Sequence, residues 1–180
     1  MVYEVKMLNS DDIQLLKDDW IPAAEANDEL PISSFKQAVS WAEDVENGSA
    51  NTQAEVYGVF CSEGRIHAIF DQVGIHLGTP KGYFKILSMV VAPQIDLSGI
   101  KADEFFSARD RFAAVIAKVI THGMNILQSH ENATKVKFYA SGSVTLGLFQ
   151  KTWASLDPDI LEQLNVATNV YGNWAEFSKI

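Results

Sequence analysis

Cysteine occurs once in the 180 residues, at Cys61. That excludes an internal disulfide framework and a cysteine-rich zinc site, and it fits a reducing, cytoplasmic compartment. No apolar run approaches the roughly 18 residues that a membrane-spanning helix needs, and the opening MVYEVKML alternates with charge too early for a signal peptide. Cations are scarce: 14 Lys and Arg against 23 Asp and Glu leave a net charge of −9. Such a field repels phosphate backbones unless the basic residues are gathered onto one face, so neither nucleic acid nor a membrane is an expected partner. Glycine-rich nucleotide loops, a Gly-x-Ser-x-Gly elbow and His-x-x-x-His spacing are all missing, and the four histidines stand singly. No metal site, nucleotide loop or serine nucleophile is therefore expected. What the chain does have is 47% hydrophobic residues, enough to bury a core in a single domain over 1–180, with no repeat or linker-like tract to divide it.

The periodicity changes along the chain. Val2 to Leu8 reads as a strand, followed by a short helix through Ile13, Leu16 and Trp20 capped by Ser10 or Asp11. Pro22 and Pro31 bracket an expected loop, and a second helix carrying Phe35, Val39 and Ala42 is capped by Ser33 or Ser34 and stopped at Asn47-Gly48. Three segments rich in Val, Ile, Phe and Tyr follow, Glu55–Cys61, Arg65–Leu77 and Tyr83–Ala92, and the turns between them predict an antiparallel meander. A long helix from Asp103 to about Ser129, a strand at Lys135–Ala140, a helix at Val144–Ser155 and a final hairpin around Gly172-Asn173 complete the pattern. The order is β-α-α-β-β-β-α-β-α-β-β, a mixed α/β layer structure.

That order, together with the segment ILSMVVAPQID (Ile86 to Asp96), resembles the GNAT superfamily of acyl-CoA N-acyltransferases. The resemblance implies a V-shaped splay between the fourth and fifth strands. Main-chain amides around Met89, Val90 and Val91 would face the acyl-CoA there. It also implies an acyl group, acetyl in the first instance, transferred to an amine of a small molecule or protein. Two family features are missing. Between Pro93 and Phe105 the only glycine is Gly99, and Phe149 stands where many members carry the tyrosine that protonates the leaving thiolate. A catalytically inert binding or assembly module of the same fold, of viral or mobile-element origin, is the alternative that these losses leave open.

Several residues are candidates for the chemistry. In SARDR, Ser107 and Asp110 have capping-box spacing, which would put Arg109 and Arg111 in the first helical turn beside free amides, a setting suited to phosphates; in the other reading the helix starts at Asp103 and the guanidiniums are solvated or paired with acidic neighbours. For a general base the candidates are Asp71, His67, His76 and Glu55, and strand alternation puts His67 and Asp71 on one face and His76 on the other. Asp71 interrupts the apolar run IHAIFDQVGIHL; it is either a buried carboxylate of raised pKa or a hydrogen-bonded structural residue. Tyr139 is a candidate acid or a half-buried strand aromatic, and Ser143 a cofactor contact or the N-cap of its helix. The acidic balance suits a cationic acceptor, and the C-terminal strands offer an edge for a homodimer.

Overall fold

A computed structural model describes the chain apart from residues 1, 51, 141 and 142 and the side chains of residues 143–146, 148, 149 and 160. β1 (Tyr3–Met7) precedes α1 (Ser10–Glu25) and α2 (Ile32–Glu46). The meander β2 (Ala54–Cys61), β3 (Ile66–Ile75) and β4 (Gly82–Val91) leads into α3 (Phe105–Ser129). Then come β5 (Ala133–Tyr139), α4 (Ser143–Ala154), α5 (Pro158–Gln163) and the hairpin β6 (Val166–Tyr171) and β7 (Trp174–Lys179). The expected order is reproduced with two short additions, a 3-10 turn at Pro93–Ile95 and α5. All seven strands form one sheet in the order β1-β2-β3-β4-β5-β7-β6, and β4–β5 is the parallel pair in it.

Local chemistry sets the element ends. Asn9, one residue before the expected caps, closes a reciprocal capping box with Asp12 at 3.0 and 3.1 Å. α1 does not stop at Pro22 but runs through it to Glu25, which corrects the expected loop. Proline fits helical φ and costs one amide hydrogen bond and some crowding. Fully buried Trp20, whose indole donates to the Ile66 carbonyl at 3.0 Å, and buried Ala24 hold the turn in place. α2 starts at Ile32 behind Pro31 and not behind a serine cap.

Helices cover the sheet unequally. α2 lies over β2 with Phe35, Val39 and Ala42 buried, while α3 presents Phe112, Val115, Ile116, Val119, Ile120 and Leu127 to the core and packs against β5 and β4. Gly123 permits that approach, because a Cβ there would stand 2.3 Å from the Phe138 ring. Trp153 of α4 stacks on Phe177 at 4.0 Å and meets Phe138 edge-on.

Candidate functional site

The site begins with a broken ladder. β4 and β5 pair from Gly82↔Ala133 to Ile86↔Phe138 and then part, so β4 runs on from Leu87 to Val91 with no β5 partner among the described residues. On its other edge β4 stays bonded to β3, but Asp71↔Leu87 and Ile69↔Val90 oppose two steps of β3 to three of β4. This is a β-bulge, and Ser88 within it takes φ 48°. An L-residue at positive φ costs about 1–3 kcal/mol and persists where the surroundings demand it. The bulge bends β4 away from β5 and re-aims the Leu87–Val91 segment. Met89, Val90 and Val91 thus line the expected splay, with Val91 buried and the other two half-buried.

Beside the bulge lies a cavity of about 550 Å³ between α2 and the sheet. Ser34, Gln37, Trp41 and Asp44 of α2 form one wall, and Val56, Ile69, Asp71, Ser88 and Val90 stand among those opposite. Asp71 is the chemically distinctive member. Its side chain is 6% exposed, and its Oδ1 is buried without a hydrogen-bond partner among the described residues. Burial pushes its pKa up from the ordinary carboxylate range, and hydrogen bonds from its own backbone and the Ser88 side chain pull it partly back. Trp41 is 37% exposed and, with Asp44 three residues on, supplies an aromatic face and a carboxylate. Among the described residues no Lys, Arg or His lines the cavity. A cationic, partly apolar group is the complement of such a wall.

The other expected bases are elsewhere. His67 is tied to the Tyr3 hydroxyl at 2.9 Å through Nδ1, and burial lowers its pKa. His76 is an exposed turn residue at φ 51°. Glu55 accepts from Tyr57 at 2.9 Å and from Gln72 at 3.4 Å, and Gln72 in turn meets His122 at 2.9 Å. Of the four candidates only Asp71 reaches the cavity. The α2 residues were missed at the sequence level, although Gln37, Trp41 and Asp44 recur at four and three residues, a helical stripe.

The end towards α3, where the resemblance implies an acyl donor, is less complete. α3 begins at Phe105, with Glu104 at the N-cap making no side-chain cap bond, so Ser107 and Asp110 lie inside the helix and form no capping box. Arg109 and Arg111 therefore sit in the second turn, which corrects the first-turn placement. Arg109 pairs with Asp110 at 2.8 Å and lies 5.1 Å over the Phe106 ring, and Arg111 donates to Ser107 Oγ at 3.0 Å. Gly99 forms no open cradle: a Cβ there would meet Leu30 at 2.6 Å, and its carbonyl accepts from Asn27 at 2.9 Å. Tyr139, 37% exposed, is one residue past the last β4–β5 pair and tilts against Trp174 at 5.0 Å. Ser143 starts α4, and its side chain, like that of Phe149, lies outside the described residues.

No family model and no curated protein sequence matches the chain. Among solved structures, a probable acetyltransferase from Staphylococcus epidermidis ATCC 12228 is similar over 99% of this chain and 100% of its own, at 13% identity and a TM-score of 0.54. The PaiA N-acetyltransferase from Thermoplasma acidophilum, in complex with coenzyme A, is similar over 99% of both chains at 12% identity and a TM-score of 0.44. At these identities the likeness is one of fold, and it is the first that carries it.

Proposed function

We propose that this chain, whose fold is that of the GNAT acyl-CoA N-acyltransferases, transfers an acyl group, acetyl in the first instance, from acyl-CoA to a cationic amine held under α2. The observation that carries this reading is the coincidence of the parted β4–β5 edge with the buried Asp71 carboxylate, whose Oδ1 has no partner among the described residues, in one cavity. The donor set fits a pantetheine arm along Leu87–Val91, where an extended chain can take the place of the missing strand partner. It also leaves the first-turn amides of α3 uncapped for a pyrophosphate, without the glycine cradle. When bound, the acyl-CoA supplies an activated thioester carbonyl.

The chain's own residues do the rest. Asp44 and the Trp41 ring hold the ammonium form of the acceptor, and Asp71, once ionised, takes a proton from it. Burial raises the Asp71 pKa, which makes it a better base at neutral pH than an ordinary carboxylate. The neutral nitrogen forms the new C–N bond while the C–S bond breaks, and the second nitrogen proton, released as the amide forms, passes through solvent to restore the tyrosine hydroxyl that protonates the thiolate. Backbone amides of the bulge favour the developing oxyanion, and the Tyr139 hydroxyl on the β5 side gives the thiolate its proton. The inert-module alternative expects Phe149, Tyr139 or Trp153 to fill the cleft between β4 and β5; Tyr139 lies against Trp174 and Trp153 against Phe177 and Phe138, while the Phe149 side chain lies outside the described residues.

Thiol release from acetyl-CoA across a panel of amines tests the proposal. Release with cationic amines and none with amino groups on anionic carriers is expected. No release with any amine would leave the module without the reaction.

A further inference from the structure

The half of the sheet that lies beyond α2 carries a second constellation, on the same face as Asp71. Residues opposed across a ladder share a face. The pairs Asp71↔Leu87, Val73↔Lys85, Lys85↔Lys137, Tyr83↔Lys135, Tyr139↔Trp174 and Tyr171↔Trp174 therefore place Tyr83, Lys85, Lys135, Lys137, Tyr171 and Trp174 together. On the opposite face of the same strands Val136, Phe138, Ala175 and Phe177 are at most 3% exposed. Coverage is thus one-sided.

Charge and rings interleave on the open face. Lys85 and Lys137 are direct cross-strand partners, an arrangement that like charges disfavour. Glu176 pairs with Lys135 at 3.4 Å and with Lys137 at 3.3 Å. Three lysines against one glutamate give +3 − 1 = +2 here, so the remainder of a chain of net −9 carries −9 − 2 = −11. Three of the 14 Lys and Arg gather here, and a local positive patch of this kind lets an acidic protein attract phosphate. Lys85 Nζ lies 5.9 Å from the centroids of both Tyr83 and Trp174, and Lys137 Nζ lies 5.6 Å from those of Tyr83 and Tyr171. Tyr171 is 40% exposed.

We propose that this face binds single-stranded nucleic acid, with phosphates on Lys85, Lys135 and Lys137 and unstacked bases on Trp174 and the tyrosine rings. A pleated sheet holding aromatic rings and ammoniums side by side meets both needs of a single strand, because bases stack on rings in any sequence while lysines follow the backbone. A duplex hides its base faces and could use only the ammoniums. An acidic polypeptide would likewise leave the rings unused.

Fluorescence anisotropy with a labelled oligothymidylate of about 12 nucleotides, free of acyl donor and amine, tests the face independently of the transferase reading. Saturable binding is expected, and three phosphate contacts at a slope of about −0.7 each predict roughly 20-fold weaker binding at 200 than at 50 mM salt. Lys85→Gln, at a residue with ring contacts and no ion pair among the described residues, should reduce the salt slope by about 0.7. Trp174→Leu should weaken binding roughly fivefold or more at an unchanged slope. Circular dichroism confirms that both variants fold. The proposal is overturned by an absence of saturable binding at the lower salt, by a duplex or polyglutamate binding as tightly as the single strand, or by indifference to Lys85→Gln.

Discussion

The two ends of the β4–β5 gap are built to different standards. At the α2 end a bulge, a buried carboxylate and an aromatic rim converge on one cavity. At the α3 end the arginines are paired within their own helix, and the one glycine of the loop packs against Leu30 and Asn27. On the proposed function, that difference means an acceptor side held by side chains and a donor side held by main chain. Substitutions should therefore act strongly at the first and weakly at the second.

The largest effect is expected at Asp71. Asp71→Asn keeps the shape and removes the base, and should lower kcat/KM by about 10²- to 10⁴-fold and abolish the acid limb of its pH profile. Arg109→Gln, at the other end, should leave kcat/KM within about threefold, since its guanidinium is already engaged by Asp110 and Phe106. An equal loss in the two variants would erase the contrast.

Trp41→Ala should raise the acceptor KM by roughly 2- to 30-fold through loss of a cation–π contact, with the KM for acyl-CoA unchanged. Steady-state kinetics varying each substrate in turn separates the two. Gly123→Ala probes the packing that fixes β5 beside the gap. The added methyl meets Phe138 and should cost about 1–3 kcal/mol, a fall in Tm of several degrees by calorimetry.

The smallest effect concerns pH. Folding raises the Asp71 pKa, so the native state holds this proton more tightly than the unfolded chain does. Its contribution is therefore most favourable below the ordinary carboxylate range and is lost as pH rises through the raised value. Ser88→Ala removes a hydrogen bond that lowers that pKa and should move the kinetic acid limb to higher pH. Denaturant unfolding of wild type and Asp71→Asn at pH 4 and pH 8 should show a smaller loss of stability in the variant as pH rises.

Much of the fold is legible in the residues, because the apolar period shifts between two and 3.6 at most boundaries. Strand β4 and its exit at Pro93 could be read from ILSMVVAP. The bulge could not, since Ser88 carries no glycine signature and its φ is imposed by the register with β3. SARDR misleads for the opposite reason: a short capping pattern recurs inside a helix that Glu104 and Phe105 had already begun. Pro22 reads as a stop, yet buried Trp20 and Ala24 carry α1 past it. The lysines of β4 and β5 are distant in sequence and become one patch only through the parallel pairing.

Thermal unfolding with and without acetyl-CoA goes to the centre of the account, because it reads the gap without requiring an acceptor. At a hundred times its Kd the ligand should stabilise the native state by about 2.7 kcal/mol, which for a chain of this size raises Tm by roughly 5–10 °C. An unchanged Tm at millimolar acetyl-CoA would contradict the claim that the parted strands hold an acyl donor.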